Sequence, residues 1–242
     1  MSEPLSEIGD ARVVDAGYFR SRFVPEAGRA ATWRVVCRYL ERFVPADARL
    51  LDLGAGYCSF VNHVRAAERH ALDAYPGFVA FADAGVRTHV GSCTDLSAFA
   101  PRSLDVVFAS NLLEHLGGEE LEATLREVVR VLAPGGRFVL VQPNFRYCVR
   151  EYFDDYTHRT VFTHVSLADL LRAHGFEIER VEPRFLPLSF KSRLPTWPWL
   201  VRLYLALPWR PKAGQMLVVG RRGTPDDPPW PRAAKDDAHV GR

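Results

Sequence analysis

Residues 50–56 read Leu-Leu-Asp-Leu-Gly-Ala-Gly, a short apolar run that closes on two glycines. Such a run predicts a buried strand that enters a tight turn. Outward from it, strand-like and helix-like segments alternate up to residue 142, which favours a parallel sheet with helices on both faces. The last two predicted strands have no clear amphipathic helix between them, so we expect them to pair as an antiparallel edge. The sequence therefore predicts a single α/β domain, doubly wound around a seven-stranded, mostly parallel sheet with an antiparallel edge strand.

Hydrophobic periodicity and turn residues give the expected bounds of these elements. Strands are predicted at 49–53, 69–74, 86–90, 104–109, 137–141, 176–181 and 216–219. Helices are predicted at 28–43, 59–67, 76–84, 119–132 and 166–174, the last of them opened by a capping box from Ser166 to Asp169. Around this domain, taken as 28–220, we expect an N-terminal arm at 1–27 and a disordered tail at 221–242. An apolar and basic insertion, 190–212, lies between the last two strands.

The composition restricts the class of protein. A formal net charge of +2 gives no electrostatic case for nucleic acid as a partner. The four cysteines form no CxxC pair, so neither a disulfide framework nor a zinc site is expected. The first ten residues are polar and acidic, unlike a signal peptide, and no apolar run is long enough to span a bilayer. We expect a cytoplasmic protein, and peripheral contact with the inner face of the membrane stays open.

The glycine turn predicts a ligand site, because ligands of doubly wound sheets bind at the carboxyl ends of the strands. Gly54 and Gly56 would let the backbone approach a ligand closely. Asp73 ends the second strand about 20 residues later, where an acidic side chain commonly binds ribose hydroxyls. The alternatives are a tight structural turn and a nicotinamide dinucleotide site. A nicotinamide dinucleotide site needs a third glycine, close to the pyrophosphate, where this chain has Ser59. The pattern therefore favours a methyl donor, which has no phosphate.

Four motifs, in order and at normal spacing, resemble the class I S-adenosylmethionine-dependent methyltransferase superfamily across roughly 45–220. They are Asp-Leu-Gly-Ala-Gly at 52–56, Leu-Asp at 72–73, Leu-Asp-Val-Val-Phe-Ala-Ser-Asn-Leu-Leu-Glu-His at 104–115 and Leu-Ala-Pro-Gly-Gly-Arg at 132–137. The resemblance implies the same fold and S-adenosyl-L-methionine as cofactor.

The resemblance also implies which residues hold this cofactor. Asp52 and the backbone of Gly54, Ala55 and Gly56 would contact its amino acid end, and Asp73 its ribose. The remaining contacts would come from two other loops, with Ser92, Cys93 and Asp95 lining the adenine and Ser110 and Asn111 closing the pocket near the methionine portion. Two departures stand out. Cys58 occupies the position of a common third glycine, and Ser92 that of a common acidic residue, for which Asp95 would substitute.

The segment 142–164, the acceptor segment, concentrates aromatic, acidic and histidine side chains after the fifth strand. Methyl transfer to a hydroxyl needs alignment of the nucleophile and removal of its proton. We predict Asp155 and His158 as catalytic residues, with Asp154, Tyr156 and His164 as neighbours. The alternative is a structural loop of capped turns and ion pairs. The spacing of these residues fits no metal site.

The pattern from Asp154 to Leu167 resembles bacterial methyltransferases associated with polysaccharide or glycolipid synthesis. It implies an oxygen of a glycan or lipid-linked sugar as acceptor. The Glu-His pair ending at His115 is common in the superfamily and more often stabilises a loop than performs chemistry. Alternative functions are methylation of a small molecule (a phenol, quinone precursor or carboxylate) and a non-catalytic cofactor-binding scaffold. A nicotinamide oxidoreductase is disfavoured.

The insertion 190–212 contains Trp197, Trp199 and Trp209 among basic residues. Amphipathic rings beside Lys and Arg suit a bilayer interface. The stretch 199–207 also fits a core helix or a homodimer contact, and we rank these two together above membrane contact.

Overall fold

A seven-stranded sheet forms the centre of the computed structural model, which describes residues 28–188 and 197–224. Its strands are β1 (Arg49–Leu53), β2 (Glu68–Asp73), β3 (Arg87–Val90), β4 (Leu104–Ser110), β5 (Leu132–Pro143), β6 (Phe176–Pro187) and β7 (Ala213–Arg222). They are arranged in the order β3-β2-β1-β4-β5-β7-β6. β1 to β5 are mutually parallel, and β7 pairs antiparallel with both β5 and β6. The predicted α/β fold with an antiparallel pair at the edge is confirmed. Within this pair β6 is outermost, and β7 is the reversed strand.

Five α-helices accompany the sheet in the described residues. They are α1 (Arg29–Leu40), α2 (Gly118–Val131), α3 (Phe145–Cys148), α4 (His164–Ala173) and α5 (Pro198–Ala206). The apolar side chains of β1 divide between two clusters, with Leu50 facing the cluster that includes α1 and Leu51 and Leu53 facing that of α2 and α4. The central strands are therefore buried on both faces, as their continuous apolar runs predict. None of the described helices is both long and apolar enough to cross a membrane.

Three predicted helices differ from the observed structure. The stretch 59–67 consists of successive turns, because Val61 N–H donates to the Asp52 carboxylate at 3.2 Å instead of joining a regular helical ladder. Pro76–Phe81 is a 3₁₀ helix. The capping box of α4 is formed by Thr163 and Ser166, not by Ser166 and Asp169, so the helix begins at His164.

The predicted arm (1–27), the start of the insertion (190–196) and most of the predicted tail (225–242) lie outside the described residues. β6 and β7 are both longer than predicted, and β7 includes Arg221 and Arg222, which the sequence assigned to the tail.

A buried ion pair ties the insertion to the sheet. Arg210 donates to Glu182 on β6 at 2.6 Å and to the carbonyl oxygen of Leu205 on α5 at 2.7 Å. Tyr39 on α1 donates to the same Glu182 carboxylate. Burial alone would raise the pKa of Glu182, but these hydrogen bonds and the Arg210 charge lower it. One carboxylate thus joins α1, β6 and the segment after α5.

We predict that Arg210→Ala lowers the free energy of unfolding by about 3 kcal/mol, because it removes the buried guanidinium and leaves the Glu182 carboxylate only the half-exposed Arg180 as counter-charge. Urea unfolding followed by circular dichroism measures the change. Arg202→Ala, at an exposed position of α5, is the matched control and should change stability by at most about 0.5 kcal/mol. Equal stability of the two variants would contradict the structural role of the ion pair.

Candidate active site

The turn after β1 is shaped by left-handed glycines and by the end of β2. Gly54 has φ +71° and Gly56 φ +50°. The amides of Gly54 and Ala55 both donate to the carbonyl oxygen of Leu72, at 2.8 and 3.1 Å. A Cβ added to Gly54 would lie 3.0 Å from a methyl carbon of Leu112. A side chain at Gly54 is therefore excluded both by conformation and by space.

Asp73 completes this turn from the end of β2. Its buried carboxylate accepts hydrogen bonds from the amides of Gly56 and Tyr75, both at 2.9 Å. Burial raises the pKa of Asp73, and the backbone N–H groups oppose this rise. Each carboxylate oxygen accepts more than one hydrogen bond, so Asp73 keeps capacity for a ribose diol.

Asp52 lies beneath the turn, and burial raises its pKa to about 8. Its carboxylate accepts a hydrogen bond from Val61 N–H, which organises the turns that follow the glycines. A contact between Asp52 and the amino acid end of the cofactor stays a prediction.

The residues predicted to line the adenine are bonded mostly to their own loop. Ser92 contacts the hydroxyl of Thr94 at 2.7 Å, and the exposed Asp95 accepts from the amide of Ser97 at 2.9 Å. Cys93 accepts from Thr124 on α2 at 3.4 Å. The adenine contacts therefore stay a prediction, because these side chains serve the loop in this structure.

Ser110 and Asn111 lie at the carboxyl end of β4, next to the glycine turn through Leu112. Asn111 has φ +49°, and its side chain donates to Ser110 Oγ at 3.2 Å. Gln215 on β7 donates to Asn111 Oδ1 at 2.7 Å. Sequence reasoning missed Gln215, because only the antiparallel insertion of β7 beside β5 brings it to this edge.

The predicted catalytic Asp155 belongs to a hydrogen-bond chain that begins in the acceptor segment and ends on the turn after β4. The hydroxyl of Thr157 donates to Asp155 Oδ1 at 2.6 Å and lies 2.9 Å from His115 Nδ1. A hydroxyl has a single proton, so its oxygen accepts the N–H of His115. This arrangement assigns the proton to Nδ1 and leaves a lone pair on Nε2 of His115. The sequence did not predict Thr157 and His115 as partners of Asp155. The link to His115 was missed because 42 residues separate His115 from Thr157.

The predicted His158 lies beside the same turn. Its ring centroid is 5.0 Å from that of His115, and together with Glu114 these residues form a histidine–carboxylate cluster. Backbone bonds hold the two segments together, because the carbonyl oxygen of Glu114 accepts from the amides of Arg159 and Thr160 at 2.8 and 3.0 Å. Burial raises the pKa of the Glu114 carboxyl to about 8. The structure thus joins the Glu-His pair of the sequence to the acceptor segment.

The other predicted neighbours lie elsewhere. Asp154 and Tyr156 are exposed. His164 is buried at the start of α4, where it contacts the side chain of Asn144 at 3.1 Å and stacks on Tyr147. Its contacts are those of a structural residue.

Comparisons with known proteins concern the family and the fold. Residues 51–140 match the family model described as a methyltransferase domain. A similar fold occurs in an S-adenosylmethionine-dependent methyltransferase from Archaeoglobus fulgidus, at 17% identity and a TM-score of 0.61, covering 86% of this chain and 100% of that one. Another occurs in an S-adenosylmethionine-dependent methyltransferase from Mesorhizobium loti, at 21% identity and a TM-score of 0.57, covering 79% and 98%. The comparison with curated proteins finds no match.

The cofactor is S-adenosyl-L-methionine. The residues present fit it. The glycine turn offers backbone at a point where a Cβ would meet Leu112, and Asp73 offers a buried carboxylate of the type that binds a diol. When bound, the cofactor supplies a methyl group already activated on a sulfonium.

We predict that Asp73→Asn weakens binding of S-adenosylhomocysteine by about 10- to 100-fold, the loss of about 1.5 to 3 kcal/mol expected for hydrogen bonds to a charged group. Isothermal titration measures the affinity. Asp47→Asn makes the same charge change at an exposed position before β1 and should leave affinity unaltered. Unchanged affinity in Asp73→Asn, with the fold intact, would contradict the assignment of Asp73.

Proposed function

We propose that this S-adenosylmethionine-dependent methyltransferase methylates a hydroxyl oxygen of a saccharide or lipid-linked glycan. The observation that carries the proposal is the hydrogen-bond chain Asp155–Thr157–His115, which ends on an imidazole lone pair near the turn that contacts Gly54 through Leu112. His158 and Glu114 lie against this imidazole.

A hydroxyl acceptor needs a neighbouring base such as the His115 imidazole more than a thiol or an amine acceptor does. An alcohol is almost fully protonated at neutral pH, so its reaction with a sulfonium requires a group that holds and polarises its O–H. The chain fixes the tautomer and the orientation of His115, since Thr157 holds Nδ1 and Asp155 holds Thr157. Asp155 and His158 keep the roles predicted for them, acting on the acceptor hydroxyl, and His115 joins them.

Aromatic side chains of the acceptor segment support a saccharide as the acceptor. Phe153 and Tyr156 are both exposed, on either side of Asp154 and Asp155. Aromatic rings can cover the apolar C–H face of a sugar ring while neighbouring carboxylates accept its hydroxyls.

The exposed tryptophans of the insertion support a lipid-linked acceptor. Trp197, Trp199 and Trp209 are all more than half exposed, so the core-helix alternative for 199–207 does not hold for the ring of Trp199, although Leu205 of α5 is buried. The guanidinium of Arg184 lies 4.1 Å from the ring centroid of Tyr147 and 5.9 Å from that of Trp209. A surface of rings and cations therefore connects the acceptor segment with the insertion. Such a surface suits the headgroup level of an anionic membrane, where we propose that the enzyme acts peripherally.

We predict that Asp155→Asn and His158→Ala each lower turnover on a glycan acceptor by about 100-fold, the usual contribution of a positioned acid–base group. Affinity for S-adenosylhomocysteine should remain unchanged, because neither residue belongs to the glycine turn. Asp47→Asn is the matched control, since Asp47 is exposed and lies outside the acceptor segment. Normal turnover in both variants on an accepted saccharide would remove these residues from the reaction.

We also predict that the protein co-sediments with vesicles containing anionic lipid more than with neutral vesicles, and that salt weakens this binding. Replacing Trp197 and Trp199 by Ser should abolish sedimentation without lowering the melting temperature, because both rings are exposed. Val90→Ser removes an equally exposed apolar side chain from β3 and serves as control. If the parent protein does not co-sediment with vesicles, and is a dimer whereas the double variant is a monomer, the surface is a homodimer contact.

A further inference from the structure

The histidine–carboxylate cluster brings three ligand-type atoms, one each from Glu114, His115 and His158, within 4.8 Å of one another. Glu114 is 1% exposed, and neither of its carboxylate oxygens accepts a hydrogen bond from the described residues. Its Oε1 lies 4.0 Å from His115 Nε2, which is too long for a hydrogen bond. A buried carboxyl group in this state is either protonated or compensated by a cation, because an uncompensated buried charge is costly.

The orientation of His115 strengthens this argument. Thr157 accepts the Nδ1 proton of His115, and Nε2 lies on the side of the Glu114 carboxylate. A cation between Nε2 and this carboxylate would contact both groups. Histidines that bind metals commonly donate their other ring N–H to a neighbouring oxygen, as His115 does here.

We propose that Glu114, His115 and His158 bind a divalent transition-metal cation, with Zn²⁺ as the first candidate. Two imidazoles and one carboxylate favour such a metal over Mg²⁺ or Ca²⁺, which prefer oxygen ligands. Tetrahedral coordination with bonds of about 2.0 to 2.2 Å places ligand atoms about 3.3 to 3.6 Å apart. The 4.0 Å distance between Glu114 and His115 is longer than this, so binding of the cation requires the ligand side chains to move closer together.

The cation would have an open coordination position, since the chain supplies three ligands to it. Its role rests on the proposed function and refines it: with the cation bound, His115 and His158 act on the acceptor hydroxyl through the metal, which binds the hydroxyl and lowers its pKa. The hydroxyl proton leaves through water, and the oxygen forms its bond to the methyl carbon. The carbon–sulfur bond breaks, and its electron pair remains on sulfur, which becomes a neutral thioether. Metal binding itself does not depend on the identity of the acceptor.

The test uses the full chain stripped with a chelator and titrated with Zn²⁺ or Co²⁺ alone. We expect one equivalent of Zn²⁺ by elemental analysis, and visible absorption of Co²⁺ typical of a four- or five-coordinate site. Glu114→Gln, His115→Ala and His158→Ala should each lower the affinity for Zn²⁺ by at least about 10-fold. His174→Ala removes a histidine that contacts Glu122 at 3.0 Å and should retain the parent affinity.

Absence of Co²⁺ absorption in the parent protein would overturn the proposal, as would equal affinity of the parent and His158→Ala. Circular dichroism shows whether each variant folds. If the buried Glu114→Gln variant unfolds, His158→Ala decides, because His158 lies in a loop that backbone bonds of its neighbours hold.

The two proposals fail separately. Metal binding without methylation of any saccharide would leave the cation site intact and contradict the proposed acceptor. Full turnover of a saccharide by chelator-treated, metal-free protein would support the acceptor and overturn the cation site.

Discussion

Three consecutive backbone N–H groups of the turn after β1 are held by the end of β2, and the rest of the site depends on this interaction. The amides of Gly54 and Ala55 share the carbonyl oxygen of Leu72, and that of Gly56 binds the carboxylate of Asp73. The parallel register, in which Leu53 pairs with Leu72, brings these partners together. The turn can then adopt positive φ angles and lie against Leu112. Because Leu112 belongs to the segment after β4, the cofactor turn packs against the same segment that carries the Glu-His pair.

A second set of backbone hydrogen bonds joins the segment after β4 to the acceptor segment. The carbonyl oxygen of Glu114 receives the amides of Arg159 and Thr160, and the Thr160 hydroxyl donates to the carbonyl oxygen of Leu116 at 2.6 Å. These bonds fix the two residues that follow His158 without using the side chains of the site's histidines and carboxylates. The backbone thereby supports the position of His158, and the Asp155–Thr157–His115 chain adds a side-chain link between the two segments.

The sequence predicts those parts of the molecule that local pattern controls. The central strands were found because burial on both faces demands continuous apolar runs, as in 50–53 and 104–109. β6 was predicted too short because its second half begins with the buried polar side chain of Glu182, whose partner Arg210 lies 28 residues further along the chain. Asp155 and His158 were singled out by residue type alone. Their link to His115 through Thr157 was not foreseen, since a contact across 42 residues depends on how the loop folds back over β4. The methyltransferase class followed from motifs, whereas a cation site joins two motifs that sequence reasoning considered separately.

The anchoring of Arg159 and Thr160 through main-chain atoms has a consequence for how such an enzyme diverges. A contact between an amide and a carbonyl oxygen is indifferent to most side chains, so exposed residues of the loop such as Phe153 and Tyr156 can be exchanged while Arg159 and Thr160 stay in position. Under the proposed function, such exchanges would alter the choice of acceptor without rebuilding the stretch beside the turn after β4.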